Sequence, residues 1–194
     1  QFNILSKSIK KYSINNFIDI GSNIGIYSIL MAKNHSNLTI HSFEPHKDAF
    51  KRLKKNVNLN DFSNKIYLYD YALSSKDGES FLETKNRFGL SQSGGAKISD
   101  NGNIKIKYKK GDDLIKIKNE NIAIKIDTEG HELFVLQGLK NLLADNKIFL
   151  QIEIFPQNIT VVTQFLNNLG FKLITKSQFT HQKDILDYFF EKNL

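Results

Sequence analysis

FIDIGSNIG (residues 17–25) and IAIKIDTEGHE (residues 122–132) are the two stretches of sequence that decide the fold. Each begins as a short apolar run and reaches an aspartate, Asp19 or Asp127, followed by a glycine-containing turn. In an open α/β sheet, ligands bind outside the carboxyl ends of the strands, near the point where the strand order reverses. We therefore predict that both stretches are strands that deliver Asp19 and Asp127 to the same edge of one sheet.

The rest of the chain alternates between strand patterns and helix patterns. We predict further strands at 38–43, 65–69, 148–154, 171–177 and 185–191, and helices at 1–14, 24–34, 45–60, 132–143 and 159–169. In the helix at 24–34, Ile26, Ile29 and Leu30 are expected to point inward. This alternation is typical of an α/β fold with a mostly parallel sheet and helices on both faces. We expect seven strands, with a C-terminal antiparallel hairpin strand.

Residues 74–103 interrupt the alternation. Short strands are expected at 79–83 and 104–109, whereas NRFGLSQSGG (residues 86–95) is too rich in glycine and serine to be regular. Long irregular segments in compact domains are often binding loops. We therefore expect residues 84–103 to form a loop on the substrate side of a single domain covering 1–194.

Composition limits the classes of function. The formal net charge is +7, but Arg52 and Arg87 are the only arginines, so most of the charge is lysine and favours general solubility over a nucleic-acid surface. The absence of cysteine excludes disulfides and thiolate nucleophiles, and fits a cytoplasmic location. No apolar run approaches the ~20 residues that span a bilayer. The chain begins at Gln1, which is compatible with one domain of a longer protein.

Residues 19–25 form a glycine-rich turn between a strand and a helix. Gly21 permits the tight turn, Gly25 allows close packing of the next helix, and Ser22 and Asn23 add side-chain hydrogen-bonding groups. The turn lacks the third glycine with which the dinucleotide fingerprint admits a pyrophosphate. A carboxylate at Asp19 suits a cation better, and S-adenosyl-L-methionine carries a sulfonium and an ammonium. The alternative is that Asp19 only caps the turn.

Two further acids follow predicted strands. Glu44 lies 19 residues after Gly25 (44 minus 25), where an acidic side chain accepts hydrogen bonds from ribose hydroxyls. NAD and S-adenosylmethionine both contain a ribose, so Glu44 predicts a nucleoside without choosing between them. Asp70 could accept a hydrogen bond from the adenine amino group, or could be a solvated strand end.

The second stretch places Asp127, Glu129, His131 and Glu132 directly after a strand. Methyl transfer to a hydroxyl needs a base near the attacking oxygen, and Glu129 or His131 could fill that role. Glu132 is more simply a charge in the first turn of a helix. Asp127 could share Mg²⁺ with Glu153, but we predict instead that Glu153 satisfies backbone or substrate groups and that the site contains no metal.

These motifs together resemble the FkbM family of methyltransferases. The matching segments are DIGSNIG at 19–25, Glu44-Pro45, LKKNVNLN at 53–60 and KIDTEGHE at 125–132. The resemblance implies a Rossmann-like class I methyltransferase fold, S-adenosylmethionine as cofactor and O-methylation of a small molecule or glycan, with a sugar hydroxyl favoured. Attack on a pyrimidine carbon usually needs a cysteine, so a nucleic-acid methyltransferase is the less favoured alternative, together with a non-catalytic nucleoside-binding module.

The resemblance also implies roles for individual residues. The methionine part of the cofactor would contact the 19–25 turn, in which Ser22 replaces the usual alanine, and the amino end would contact Asp127. The ribose would contact Glu44, and the adenine would contact the segment Asp70, Tyr71 and Ala72. Pro45 is also predicted to bind the cofactor. The predicted catalytic residues are Asp127, Glu129 and His131. The oligomeric state does not follow from the sequence.

Overall fold

The computed structural model describes residues 1–63, 65–87, 90–178 and 186–194. Within these ranges the α-helices are α1 Phe2–Lys11, α2 Ile26–Asn34, α3 Lys47–Leu59, α4 Gly111–Leu114, α5 Glu132–Gly138, α6 Lys140–Asp145 and α7 Ile159–Asn168, with a short 3-10 helix at Pro156–Asn158. The strands are β1 Asn16–Ile20, β2 Thr39–Phe43, β3 Ile66–Tyr69, β4 Ala72–Ser74, β5 Gly78–Arg87, β6 Leu90–Ile98, β7 Ile104–Lys110, β8 Asn121–Ile126, β9 Lys147–Ile154, β10 Lys172–Gln178 and β11 Leu186–Lys192.

The central sheet has seven strands in the order β10-β11-β9-β8-β1-β2-β3. The pairings from β9 to β3 are parallel, whereas β11 runs antiparallel to both of its neighbours. This confirms the predicted mostly parallel sheet with an antiparallel C-terminal hairpin strand. The residues that link β10 to β11, 179–185, lie outside the described part of the chain. Because β1 lies between β2 and β8, the strand order reverses at the tips of β1 and β8.

Helices cover both faces of this sheet, as predicted. Phe17 and Phe149 belong to an apolar cluster with Leu5 of α1, Met31 of α2 and Leu53 of α3. The residues that alternate with these in the same strands point to the other face of the sheet. There they pack in a second cluster with α5, α6 and α7. Alternate residues of a strand point to opposite faces, so each strand contributes to both cores. None of the helices among the described residues is long and apolar enough to cross a bilayer.

A second sheet, in the order β4-β7-β5-β6, occupies the region that interrupts the alternation. The expectation of an irregular segment over 86–95, within a loop over 84–103, is wrong for the described residues, because β5 continues to Arg87 and pairs with β6 from Leu90 to Ile98. Phe88 and Gly89 lie outside the described residues. The pairing is interrupted by a register shift opposite Glu83 and Lys85, and the two glycines, Gly94 and Gly95, lie in this shift.

Two local predictions are also corrected. Ile26 and Leu30 of α2 are 57% and 38% exposed, and the helix instead buries Ser28, Met31 and Ala32. Ile29 packs against the core as predicted, and the hydroxyl of Ser28 is hydrogen-bonded to Asp19 and Ser42 on the buried side of α2. The predicted start of α3 at Pro45 is likewise wrong. His46 is the N-cap of α3, and the helix begins at Lys47.

Candidate active site

The tips of β1 and β8 are in direct contact at the carboxyl edge of the sheet. The backbone N–H of Asp127 donates to the carbonyl of Ile20 across 3.0 Å. Gly21 has a φ of 80°, and a Cβ at this position would overlap the carbonyl oxygen of Asp127. Only glycine fits this close approach in the left-handed region. The two stretches identified from the sequence therefore form one continuous wall.

This wall closes one side of a cavity of about 700 Å³, its open mouth included. Gly94 and Ala96 of β6 also line the cavity. The predicted site residues that line the cavity are Gly21, Asn23, Glu44, Pro45, Ala72, Asp127, Glu129 and His131.

Glu44 lines the cavity with a nearly buried carboxylate. One oxygen accepts a hydrogen bond from the backbone N–H of Asn23 at 2.8 Å, and the other accepts one from the N–H of His46 at 2.7 Å. Burial raises the pKa of Glu44 to about 7, although these two hydrogen bonds oppose the shift. Each carboxylate oxygen keeps a further lone pair, so the group can still accept hydrogen bonds from a ribose.

Asp127 is fixed by a lysine that sequence reasoning did not use. Lys125, at the end of β8, is 5% exposed, and its Nζ donates to Oδ2 of Asp127 across 2.9 Å. A single lysine in the otherwise apolar strand IAIKI was the available signal, since lysine is almost never fully buried unless it is paired.

The carboxylate of Asp127 belongs to a cluster of three. Ligand oxygens of Asp127, Glu129 and Glu153 all lie within 4.8 Å of one another. Burial raises the pKa of Glu153 to about 8, and repulsion from Asp127 and Glu129 adds to the shift. Clustered acids of this kind favour a cationic group beside them. The expectation that the site contains no metal stays a prediction.

His131 and Glu132 brace the loop after β8. The Nε2 atom of His131 lies 2.9 Å from Oγ of Ser74, and burial lowers the pKa of His131 to about 4. Glu132 accepts hydrogen bonds from the hydroxyl of Thr128 and the backbone N–H of Gly130, and it begins α5. Glu132 therefore has the structural role expected from its place in the first turn.

Three predicted cofactor-binding residues of the first turn do not line the cavity. Asp19 is fully buried and accepts a hydrogen bond from Ser28 at 2.5 Å on the α2 side of the sheet. Ser22 donates to the carbonyl of Phe43 at 3.2 Å. Gly25, with a φ of 90°, accommodates Leu53 of α3 rather than a strand. The side chains of Asp19 and Ser22 are therefore bonded within the fold, and contact of Asp19, Ser22 and Gly25 with a cofactor stays a prediction.

Of the three residues expected near an adenine, only Ala72 lines the cavity. Asp70 is exposed and lines a neighbouring groove, which it shares with Pro45 and Lys47. The ring of Tyr71 packs against that of Phe43 at 6.0 Å between centroids. Proximity in the sequence to Ala72 therefore does not bring Asp70 and Tyr71 to the cavity.

Comparison with known proteins identifies the family. Residues 19–173 match the profile described as the methyltransferase FkbM domain. The chain belongs to the FkbM methyltransferase family. This FkbM domain is also 31% identical, over 148 residues, to the hexuronic acid methyltransferase AglP of Haloferax volcanii. The match covers 73% of the chain and 58% of AglP, so the chain spans less than two thirds of that relative.

Solved structures establish the fold of this FkbM domain. The methyltransferase FkbM from Methylobacillus flagellatus superposes with a TM-score of 0.64 at 17% identity, covering 91% of this chain and 43% of that one. A SAM-dependent methyltransferase from Aquifex aeolicus gives a TM-score of 0.54 at 12% identity, covering 96% and 88%. These similarities confirm the class I methyltransferase fold.

Proposed function

We propose that this FkbM domain binds S-adenosylmethionine and transfers its methyl group to a hydroxyl of a sugar-type acceptor. The observation that carries the proposal is the acidic cavity at the adjoining tips of β1 and β8, where Glu44 and Asp127 line one space. When bound, the cofactor would supply a methyl group on a positively charged sulfur. Carboxylates suit such a cation better than they suit the pyrophosphate of NAD.

The residues present fit this donor. The carboxylate of Glu44 would hold the ribose, and Asp127 would receive the ammonium group. Pro45 and Ala72, which line the same cavity, would adjoin the adenine. Gly21 would keep the wall between them free of side-chain atoms, because its backbone lies directly against Asp127.

Among the two predicted bases, the geometry favours Glu129. His131 has its Nε2 atom engaged with Ser74, and its lowered pKa makes it a weak base. Glu129 lines the cavity within the carboxylate cluster, and its backbone has a φ of 53°. Positive φ is uncommon outside glycine and is often found at functional sites. Glu129 would then accept the hydroxyl proton while Asp127 holds the donor.

The sugar-type acceptor rests on AglP, whose name states action on a hexuronic acid. Sugars offer several hydroxyls as methyl acceptors, and an acceptor would enter through the open mouth of the cavity beside β6. A cytoplasmic location remains a prediction from the absence of cysteine.

Two measurements test the proposal. Calorimetry should detect binding of S-adenosylhomocysteine and no binding of NAD, whereas binding of NAD alone would overturn the methyltransferase assignment. Transfer of labelled methyl from S-adenosylmethionine should then be followed with glucuronic-acid oligosaccharides and with RNA as acceptors. Labelling of the oligosaccharide supports the proposal. Labelling of RNA alone would favour a nucleic-acid methyltransferase, and labelling of neither with cofactor bound would favour the non-catalytic module.

A further inference from the structure

A row of four buried polar side chains crosses the sheet directly behind the cavity. Ser42, Asp19, Lys125 and Gln151 occupy equivalent register positions on the adjacent strands β2, β1, β8 and β9. Each is 5% exposed or less. In-register residues of parallel strands share a face, and this face otherwise packs against α1, α2 and α3. Buried polar groups are costly unless they are paired, so the row calls for a functional explanation.

Lys125 is the cation of this row and it stays charged. Its Nζ donates to Asp127 at 2.9 Å and lies 4.9 Å from the ring centroid of Tyr27. Burial alone would lower the pKa of Lys125, but the charges of Asp127 and Asp19 outweigh burial and raise it. The lysine therefore presents a full positive charge between two aspartates.

Those two aspartates differ in their access to the cavity. Asp19 is fully buried, and one of its oxygens has no hydrogen-bond partner among the described residues. Burial raises the pKa of Asp19, and the charge of Lys125 is the largest influence that opposes this shift. Asp127 instead lines the cavity. Lys125 thus lies between Asp19, which is fully buried, and Asp127, which a ligand in the cavity can contact.

We propose that Lys125 is a positioning residue that orients Asp127 toward the amino-acid end of the methyl donor. The inference rests on the proposed function. The hydrogen bond to Oδ2 fixes the carboxylate and leaves Oδ1 for the donor. Without Lys125, repulsion from the neighbouring Glu129 would displace Asp127, and a ligand would have to reorder it on binding. Lys125 acts only through Asp127 and does not itself contact the donor.

The test compares two ligands that differ only beyond the adenosyl group. S-adenosylhomocysteine has the amino-acid end, and 5′-methylthioadenosine lacks it. In Lys125→Met, calorimetry should show S-adenosylhomocysteine binding weakened by about tenfold or more, the scale of a lost charge-assisted hydrogen bond. Binding of 5′-methylthioadenosine should change by less than about twofold. A role confined to folding would weaken both ligands equally and would overturn the proposal.

Lys192→Met is the matched control. Lys192 is also buried, and it donates to backbone carbonyls of Leu143 and Ala144 on another part of the molecule. Its replacement should leave the ratio of the two affinities unchanged. If the only effect of Lys125 were to reduce the negative charge of the cavity, its removal would favour the cationic amino group of S-adenosylhomocysteine. Lys125→Met would then bind this ligand more tightly, and this result would also overturn the proposal.

A double variant keeps the test decisive if Lys125→Met alone folds poorly. Removing both partners of a buried ion pair costs less than removing one, so Lys125→Met with Asp127→Asn should be less destabilised than Lys125→Met. Burial already raises the pKa of Asp19, so without the lysine this side chain can take up a proton. Asp127→Asn alone should reproduce the selective loss, and the double variant should lose no more. Additive losses would overturn the inference. If the wild type bound neither ligand, the proposed function itself would be overturned. If only the inference about Lys125 were wrong, the wild type would still bind S-adenosylhomocysteine.

Discussion

The Nε2 atom of His131 lies 2.9 Å from Oγ of Ser74, and the imidazole stacks on the ring of Phe134 with 4.8 Å between centroids. Burial lowers the pKa of His131 to about 4, which keeps the ring neutral at physiological pH. NMR titration of the histidine ring carbons should therefore show that the ring of His131 remains neutral at pH 5.5, and the signal is assigned by its loss in His131→Asn. A His131 midpoint near the ordinary value of 6.5 would contradict the buried geometry.

Glu129→Gln is expected to lower turnover while leaving cofactor affinity intact. The amide preserves size but cannot take up the hydroxyl proton, and loss of a general base typically costs a factor of about 10²–10⁴. Turnover with the labelled sugar acceptor and affinity for S-adenosylhomocysteine should be measured on the same preparation. His131→Asn serves for comparison and should lose less, and the reverse order would reassign the base.

Glu44→Ala should weaken every adenosyl ligand, with or without an amino-acid end. Its carboxylate is placed by the N–H groups of Asn23 and His46 to face the cavity. Hydrogen bonds to a charged group are worth about 1.5–3 kcal/mol, so calorimetry should show losses of that size for 5′-methylthioadenosine and S-adenosylhomocysteine alike. The exposed Asp48→Ala is the control. Unchanged affinity in Glu44→Ala would move the ribose site elsewhere.

Glu153→Gln should stabilise the protein in alkaline solution. The pKa of Glu153 is raised from 4.5 to about 8, so between these values the folded state retains a proton that the unfolded state has released. Stability present below pH 4.5 is therefore lost as the pH rises through about 8. Glu153→Gln has no titrating group at this position and therefore has no such loss.

The measurement is the free energy of unfolding in urea at pH 5 and pH 9. Because Glu153 is partly exposed, solvent screening reduces the effect, and the variant should gain about 1–2 kcal/mol on the wild type between these conditions. The exposed Glu120→Gln should gain nothing. A constant difference between Glu153→Gln and wild type at both pH values would contradict the raised pKa.

The contrast between Asp19 and Asp127 shows how far the sequence predicts the site. Both aspartates precede a glycine-containing turn, and the strand-end rule placed them at one edge. In the structure Asp19 pairs in register with Lys125, two residues before Asp127, so its side chain belongs to the buried layer under α2. Asp127 lies one residue beyond β8 and lines the cavity. The apolar pattern of each strand does not say how far one strand is shifted along its neighbour, so it does not predict which aspartate reaches the cavity.

The predicted central sheet followed from apolar runs because each core strand is continuous and buried, as in β8 and β9. The second sheet was harder to predict because Gly94 and Gly95 of β6 lie in a register shift between β5 and β6, where Gly95 has a φ of 77°. The pairing of β5 with β6 on both sides of this shift has no local signal in the glycine-rich sequence. The sequence analysis expected this segment on the substrate side, where Gly94 and Ala96 line the cavity, but expected a loop rather than a strand.

Gly21→Ala should be among the most destabilising single substitutions in this fold. Gly21 has a φ of 80°, and an added Cβ would overlap the carbonyl oxygen of Asp127, so the tips of β1 and β8 would have to separate. Gly170 provides the matched control, because its φ is 84° and nothing lies within 4 Å of a Cβ there. Gly170→Ala should lose only the ~1–2 kcal/mol of left-handed backbone strain, whereas Gly21→Ala should lose at least ~2 kcal/mol more in urea unfolding. Binding of S-adenosylhomocysteine should fall in Gly21→Ala alone. Equal losses of stability in both variants would mean that Gly21 does not lie against the carbonyl oxygen of Asp127.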